Sequence, residues 1–287
     1  MSAAADPALI ELLGLAGKLQ VADIGAAYIS EEPPYKRLVE MGAAHLNAFD
    51  ADLRQHPKLR EVFGEDMTLF TDILGDGTRQ TLHLAAPESG MTSLLKPSAK
   101  QLAFFNGFSH FGKVHGTEEV ATTRLDEVAG LPDLDFLKMD IQGSELQVLE
   151  HGMARLRGCC MIQLEVSFVP LYEAQPTFGD IDRWMRAQGY IPHCFTEVKR
   201  WSIAPLRKNN NIRQPFNQLL EADIVYAKDM VSPEKWEPDM LKKTAILAHY
   251  CYRSTDLAGR LINHLQSRGD LAPGSLDQYL KMVNPRQ

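Results

Sequence analysis

The sequence predicts an α/β fold: a Rossmann-like sheet of seven mostly parallel strands, flanked by helices and followed by a C-terminal helical extension. Two observations predict this fold. Short β-type runs alternate with helical periodicity through most of the chain, as in a parallel sheet covered by helices. After about residue 230 the strand pattern stops and the remaining sequence reads as helical throughout. We therefore divide the chain into a Rossmann-like domain, residues 1–230, and a helical extension, residues 231–287.

Seven segments carry the strand pattern. They are residues 19–26, 44–50, 67–75, 135–140, 159–167, 189–195 and 222–228. Between the fourth and fifth strands, apolar residues recur at steps of three and four and predict a helix from about Ser144, with an apolar stripe formed by Leu146, Leu149, Met153 and Leu156. The segment IDRWMRAQGY predicts a second helix, which ends at a glycine cap, Gly189.

Two insertions interrupt this alternation. Residues 76–123 contain a predicted hairpin, TRQTLHLAA, and an aromatic-rich stretch. Residues 196–221 contain two prolines and a run of asparagines, which predict a loop. We expect the acceptor pocket to be built from these insertions, together with the helical tail. The tail itself is interpreted either as an appendage or as the contact surface of a homo-oligomer.

Composition narrows the class of protein. Hydrophobic residues make up 45% of the 287 positions, which is typical of a globular chain with a substantial core. The net charge of −7 argues against a dedicated nucleic-acid binder. The four cysteines form no Cys-x-x-Cys pair and are interpreted as reduced thiols. With no signal peptide and no membrane span expected, we predict a cytoplasmic protein.

Acidic residues follow three of the predicted strands. Open parallel sheets bind ligands at the carboxyl ends of their strands, so these positions are candidate cofactor contacts. Gly25 and Ala26 allow a ligand to approach the backbone, and Asp23 is suited to an amine or an ordered water. Asp50 is placed for ribose hydroxyls, and Asp72 for an adenine amino group. Each position taken alone is equally typical of an ordinary turn.

The turn after the first strand argues against a dinucleotide. Pyrophosphate binding favours a G-x-G-x-x-G turn, whereas this chain has one glycine there, followed by Glu31 and Glu32. A ligand that contains adenosine but no phosphate fits better, and S-adenosylmethionine is the common one. A nucleotide-dependent oxidoreductase is therefore the weaker alternative.

The segment LDFLKMDIQGSELQVLEHG, residues 134–152, resembles the FkbM-type family of S-adenosylmethionine-dependent methyltransferases. The family's motif is an apolar strand followed by K-[IM]-D-[IV]-[EQ]-G-x-E, and this chain matches it at Lys138, Asp140, Gln142, Gly143 and Glu145. VADIGA and FDAD also fit the family, and the resemblance extends over about residues 19–228. It implies a class I methyltransferase fold and a hydroxyl acceptor on a sugar, a cell-surface glycan or a natural product.

Asp140 is the principal catalytic candidate, because it would lie at a strand end facing the reactive methyl group. We expect it to contact the cofactor and to act as a general base or to position the acceptor. Glu145 is assigned either a catalytic role or a stabilising one at a helix N-terminus, with equal weight. His193 and Glu165 would complete a carboxylate–imidazole cluster. No tight ligand spacing supports a metal there, so none is expected.

One position departs from the family's pattern. Such methyltransferases commonly carry a second glycine shortly after the position of Gly25, where this chain has Tyr28-Ile29. This departure leaves a second hypothesis open, in which the protein is a methyltransferase-like scaffold that binds or assembles without catalysis.

Overall fold

The computed structural model of the chain describes residues 7–26, 32–86 and 89–284. It contains nine named strands: β1 (Leu19–Ile24), β2 (Ala44–Phe49), β3 (Met67–Phe70), β4 (Arg79–Leu84), β5 (Gly116–Ala121), β6 (Phe136–Met139), β7 (Met161–Ser167), β8 (Tyr190–Arg200) and β9 (Leu219–Lys228). Seven of them form one sheet in the order β3-β2-β1-β6-β7-β9-β8. All neighbours are parallel except β7–β9 and β8–β9, which are antiparallel. The predicted seven-stranded, mostly parallel sheet is confirmed, and we call the edge where β1, β2, β6 and β7 end the carboxyl edge.

The last two strands of this sheet differ in length from the prediction. The loop predicted over residues 196–221 is shorter, because β8 continues to Arg200 and β9 begins at Leu219, which leaves residues 201–218 between the two strands. Most side chains in the outer part of β8 are exposed, and the pairing with β9 contains three register shifts. An exposed, irregular edge strand lacks the alternation of apolar and polar residues that marks a strand in sequence.

Ten α-helices accompany the strands. They are α1 (Ala8–Leu13), α2 (Lys36–Glu40), α3 (His56–Phe63), α4 (Ala99–Phe104), α5 (Phe108–Phe111), α6 (Glu145–Glu150), α7 (Phe178–Ala187), α8 (Pro238–Tyr252), α9 (Thr255–Arg268) and α10 (Ser275–Val283) among the described residues. The helix predicted to end before Gly189 is confirmed as α7, and Gly189 has a φ of +78°. No helix of the described residues is both long and apolar enough to cross a membrane.

Helix α6 is shorter than predicted. It ends at Glu150, and Met153, expected on its apolar stripe, is 43% exposed. The carboxylate of Asp126 accepts hydrogen bonds from the backbone amides of Ala154 and Arg155 at 3.1 and 2.9 Å. These hydrogen bonds hold the two amides in a turn. The helix therefore ends at Glu150, although the apolar spacing continues further along the sequence.

The predicted local hairpin TRQTLHLAA is wrong. Its strand β4 pairs in antiparallel fashion with β5, which begins more than thirty residues after β4 ends. The aromatic-rich helices α4 and α5 lie between these two strands in the chain. The first insertion is therefore a two-stranded ribbon with a helical connection, and it packs as a unit with residues near the end of β7.

Three hydrophobic clusters organise the molecule. The first lies on one face of the sheet, where α1–α3 and the C-terminal helices pack on residues such as Val21 and Phe136. The second covers the opposite face with α6 and α7. The third joins the aromatic insertion to the chain after β7, through residues such as Phe105 and Tyr172. The predicted C-terminal helices are confirmed, and they form one layer over the sheet.

Candidate functional site

The first strand ends in a carboxylate that already has two partners. Asp23 is 3% exposed, and its Oδ2 accepts a hydrogen bond from the Tyr35 hydroxyl at 2.5 Å. Its Oδ1 is 3.2 Å from the Nζ of Lys138, the residue beside it in register on β6. Burial and the neighbouring Asp23 raise the pKa of Tyr35 well above its ordinary value. Lys138, a residue of the family motif, therefore links β6 to β1.

Gly25 brings the ends of β1 and β6 into direct contact. Its φ is +83°, and a Cβ at this position would lie 2.1 Å from the backbone oxygen of Asp140. The amides of Gly25 and Ala26 both donate to the carbonyl of Phe49, at the end of β2. Only glycine allows this approach, so the turns after β1, β2 and β6 meet at one place on the carboxyl edge.

Asp50 and Asp72 follow the next two strands outward. One oxygen of Asp50 accepts a hydrogen bond from the amide of Asp52 at 2.7 Å, whereas Oδ2 is buried and has no partner among the described residues. Burial raises the pKa of Asp50. Asp72 accepts a hydrogen bond from the hydroxyl of Thr123 at 3.0 Å. A buried carboxylate oxygen without a donor is costly, and a ligand hydroxyl would supply the missing hydrogen bond. The position of Asp50 therefore fits the ribose of an adenosyl cofactor.

The turn after β6 places Gln142 between two carboxylates. Gln142 has a φ of +59°, and its side-chain amide donates to Asp140 at 2.9 Å and to Glu165 at 3.1 Å. The amide oxygen of the same side chain accepts a hydrogen bond from the hydroxyl of Tyr172 at 3.1 Å. The backbone amide of Asp140 donates to Ile24 at 3.0 Å. Asp140 is thus fixed through both its backbone and its side chain.

Glu145 bonds to the turn that precedes its own helix. It is 3% exposed, and its Oε1 accepts hydrogen bonds from the amides of Ile141 and Gly143 at 3.0 and 3.1 Å. Burial outweighs these bonds and raises the pKa of Glu145 to about 7. This geometry stabilises the turn that presents Asp140. The catalytic role assigned to Glu145 stays a prediction.

Further carboxylates converge on Asp140 from β7 and β9. We call Asp140, Glu165, Glu221 and Asp223 the acidic cluster; Glu165 and Asp223 are register partners on β7 and β9. Lys199 lies 2.9 Å from Glu221 and 3.4 Å from Glu165. Burial and the nearby Asp140 raise the pKa of Glu165 well above its ordinary value and that of Asp223 to about 6. Repulsion among these carboxylates would be relieved by a cationic ligand.

His193 does not reach this cluster. Its neighbours on β8 pair with Tyr226 and Val225, and Tyr226 in turn pairs with Ile162 near the start of β7. The Nε2 of His193 lies 2.6 Å from the hydroxyl of Ser254, and burial lowers its pKa. The structure therefore places His193 against the start of α9 and away from the carboxyl edge. Within the described ranges no group of three or more His, Cys, Asp or Glu residues is placed to hold a metal ion.

An apolar groove lies beside the acidic cluster. Its volume is about 530 Å³, and it is lined by the residue after β7, by residues between β8 and β9 and by the first residue of β9, among them Phe168, Trp201, Phe216 and Leu219. Trp201 packs edge-on against Phe108 of the aromatic insertion, 5.1 Å between ring centroids. Trp201 therefore both packs against the aromatic insertion and forms part of the wall of the groove. Since Ser167 pairs with Glu221, the groove opens at the same edge as the acidic cluster.

Sequence reasoning missed several residues of this site. Tyr35 and Tyr172 were not singled out, and Lys199 fell in a segment predicted as loop. The family motif contained Gln142, but its contact with Glu165, 23 positions away, depends on the left-handed turn and on the pairing of β6 with β7. The Tyr28-Ile29 turn lies outside the described residues.

The strand order and the polar carboxyl edge define a class I methyltransferase fold. A family model described as the methyltransferase FkbM domain matches residues 23–192. The chain therefore belongs to the FkbM family of methyltransferases, which use S-adenosylmethionine as cofactor. No curated protein matches the chain.

Several solved structures are similar to this chain at low identity. Precorrin-6y C5,15-methyltransferase from Geobacter metallireducens GS-15 is 14% identical with a TM-score of 0.34, over 77% of this chain and 87% of that one. Magnesium protoporphyrin IX methyltransferase from Synechocystis PCC 6803, a structure with bound S-adenosylmethionine, is 12% identical with a TM-score of 0.38 over 78% of each chain. An uncharacterized protein from Listeria monocytogenes serotype 4b is 13% identical with a TM-score of 0.36 over 98% of each chain.

Proposed function

We propose that this protein transfers a methyl group from S-adenosylmethionine to a hydroxyl group of a sugar, a cell-surface glycan or a natural product. One observation carries the proposal: Gly25 lies directly against Asp140, which joins the predicted cofactor turn to the predicted catalytic turn. A methyl donor held at the first turn would then meet an acceptor held by the second. Orientation of this kind contributes roughly 7–11 kcal/mol to catalysis in favourable cases.

Three carboxylates are assigned to the cofactor. Asp50 would use its unpartnered Oδ2 to accept a hydrogen bond from a ribose hydroxyl. Asp72, which follows the neighbouring strand, is assigned to the adenine amino group. Asp23 retains lone pairs for an amine, while Tyr35 and Lys138 hold its orientation. Gly25 and Ala26 contribute a close backbone surface, since both of their amides are already bonded to Phe49.

The bound cofactor supplies an electrophilic methyl group. Asp140 is assigned to accept the proton of the acceptor hydroxyl through the carboxylate that Gln142 orients. A general base so placed contributes roughly 10²–10⁴-fold. Electrostatics support the arrangement, because the acidic cluster favours a positively charged sulfur at this edge. Glu145 supports the turn that holds Asp140, and a direct catalytic role for Glu145 remains part of the hypothesis, whereas His193 lies beside Ser254 and is given no catalytic role.

The groove beside the acidic cluster is assigned to the acceptor. Its apolar lining suits the carbon skeleton of a natural product or the less polar face of a sugar, while Glu221 and Lys199 offer hydrogen-bonding groups to further hydroxyls. Its volume is in the range of ordinary small-molecule sites.

We further propose a cytoplasmic location and a homo-oligomer formed through the C-terminal helices. On α10, Leu280 and Met282 are exposed and offer an apolar contact.

Cofactor binding and turnover test this proposal separately. S-adenosylmethionine and S-adenosylhomocysteine should raise the midpoint of thermal unfolding, whereas NADH should not. A ligand at 100 times its dissociation constant adds roughly 2.7 kcal/mol. Asp50→Asn should bind both adenosyl compounds at least about tenfold more weakly, because a hydrogen-bond acceptor is lost.

Turnover is then measured as release of S-adenosylhomocysteine with a panel of sugars and natural-product alcohols. Asp140→Asn should retain cofactor binding and lose roughly 10²–10⁴-fold in rate. An Asp140→Asn variant with the wild-type rate would refute its assignment as base. Binding of neither adenosyl compound would favour the scaffold hypothesis over catalysis.

A further inference from the structure

A second cavity lies at the end of the sheet opposite the carboxyl edge. Its volume is about 490 Å³, and its walls come from the turn after α6, the last turn of α7, the start of β8 and the end of β9. Ile162, near the amino end of β7, forms part of its lining. Trp184 and Tyr190 give the cavity aromatic walls, and Met153 adds apolar surface. None of its lining residues belongs to the candidate methyl-transfer site.

The cavity contains a buried lysine without a counter-ion. Lys228 is 6% exposed, and its Nζ lies 3.8 Å from the centre of the Tyr190 ring and 5.6 Å from that of Trp236. Among the described residues, the one hydrogen bond of the Nζ goes to the carbonyl of Gln188 at 3.4 Å. No carboxylate of the described residues pairs with it, and burial lowers its pKa. The aromatic faces offset part of the cost of burying this ammonium group, and an anion would offset more of it.

No other charged group of the cavity forms an ion pair with this lysine in the described part of the chain. Arg157 lines the same cavity, is exposed, and forms no ion pair within the described residues. Asp126 is the one acid in the lining, but its two oxygens accept hydrogen bonds from the amides of Ala154 and Arg155. Lys228 and Arg157 therefore have no carboxylate partner in the described structure, because the one carboxylate in the lining accepts hydrogen bonds from backbone amides.

We propose that this cavity is a second ligand site, which binds a small aromatic carboxylate. The carboxylate would pair with Lys228 and Arg157, and the ring would pack against Trp184 and Tyr190. The volume is that of a site for a small organic molecule. An aromatic body suits these walls, because rings gain from packing against aromatic side chains as well as from burial. The site is independent of the methyl-transfer proposal, since it shares no residue with the carboxyl edge.

Calorimetric titration of the full chain tests this site, with benzoate as the probe and benzamide as its uncharged analogue. Benzoate should bind saturably at one site, and benzamide at least about tenfold more weakly because it lacks the charge. Lys228→Met keeps a side chain of similar length without the charge and should weaken benzoate binding at least about tenfold. Lys100→Met, at an exposed lysine of α4, should bind benzoate like the wild type.

Arg157→Gln provides a second arm, because this exposed side chain can be changed without disturbing the core. It should weaken benzoate binding severalfold and leave the unfolding midpoint unchanged. The stabilisation by S-adenosylmethionine should be the same in Lys228→Met and wild type, which separates this site from the cofactor site. The proposal is overturned if the wild type shows no saturable binding of benzoate, if benzamide binds equally well, or if Arg157→Gln and a folded Lys228→Met bind benzoate like the wild type.

Discussion

Asp140 and Gln142 act together at the level of single residues. The side-chain amide of Gln142 bonds to Asp140 and Glu165, so one uncharged residue separates two carboxylates and orients both. Tyr172 fixes the rotamer of Gln142 by donating to its oxygen. A carboxylate held in this way loses little orientational freedom when an acceptor binds, which is a requirement for an effective general base.

Glu145 predicts a pH-dependent stability. Its pKa is raised from 4.5 to about 7, so between these pH values the folded protein retains a proton that the unfolded chain has lost. The free energy of unfolding therefore falls as pH rises through this window, and this component amounts to about 3 kcal/mol. Glu145→Gln removes the component, so its free energy of unfolding should fall less than that of the wild type over the same window. Urea unfolding at a series of pH values measures the difference.

Glu150→Gln is the matched control, because Glu150 is the exposed last residue of the same helix. This variant should follow the wild-type pH profile. Identical profiles for Glu145→Gln and wild type would show that Glu145 does not titrate as its burial requires.

At the scale of elements, the contact between the turns after β1 and β6 predicts the effect of a single methyl group. Gly25→Ala would place Cβ 2.1 Å from the backbone oxygen of Asp140, so one of the two turns must move. Gly17 has a similar φ, +78°, but a Cβ at that position would have no atom within 4 Å. Both variants incur the strain of a left-handed alanine, roughly 1–2 kcal/mol. The free energy of unfolding, measured in urea, should be lower for Gly25→Ala than for Gly17→Ala by at least about 2 kcal/mol, because the clash at Gly25 is with backbone.

The same pair of variants bears on cofactor binding. Gly25→Ala should abolish the stabilisation by S-adenosylmethionine, whereas Gly17→Ala should retain it. Equal stability and equal cofactor response of the two variants would contradict the close approach of β1 and β6.

The elements themselves were predicted unevenly, for physical reasons. β1, β2, β6 and β7 were recognised because strands buried on both faces read as short continuous apolar runs. The outer half of β8 was missed because exposed edge positions carry no such run. Helix α6 was predicted too long, since apolar spacing cannot report that Asp126, distant in sequence, binds the following amides.

At the scale of the whole molecule, the C-terminal helices complete the core of the sheet. Leu241, Leu261 and Leu265 are fully buried in the same cluster as Val21 and Phe136. Leu261→Ala on α9 should therefore cost about 2–5 kcal/mol, as should Leu137→Ala on β6, and each should shift one common unfolding transition. Urea unfolding, monitored both by circular dichroism and by tryptophan fluorescence, measures these costs and shows whether the two signals report one transition.

A chain ended at residue 230 extends the test. It should fail to unfold cooperatively, because one face of the sheet would be left exposed to water. If it folds and unfolds cooperatively, or if Leu261→Ala leaves the main transition unchanged, residues 231–287 are a separate appendage, and the division at residue 230 marks two independent units.

The sequence by itself determined the fold class, the family and the strand ends that carry acidic residues. These features are local: apolar periodicity, a glycine turn and a short motif are encoded by neighbouring residues. The tertiary structure decided which side chains meet. It brought Glu165 and Asp223 to Asp140, paired Lys199 with Glu165, and placed His193 beside Ser254. Strand order and register depend on burying both faces of the sheet along the whole chain, so no local pattern contains them.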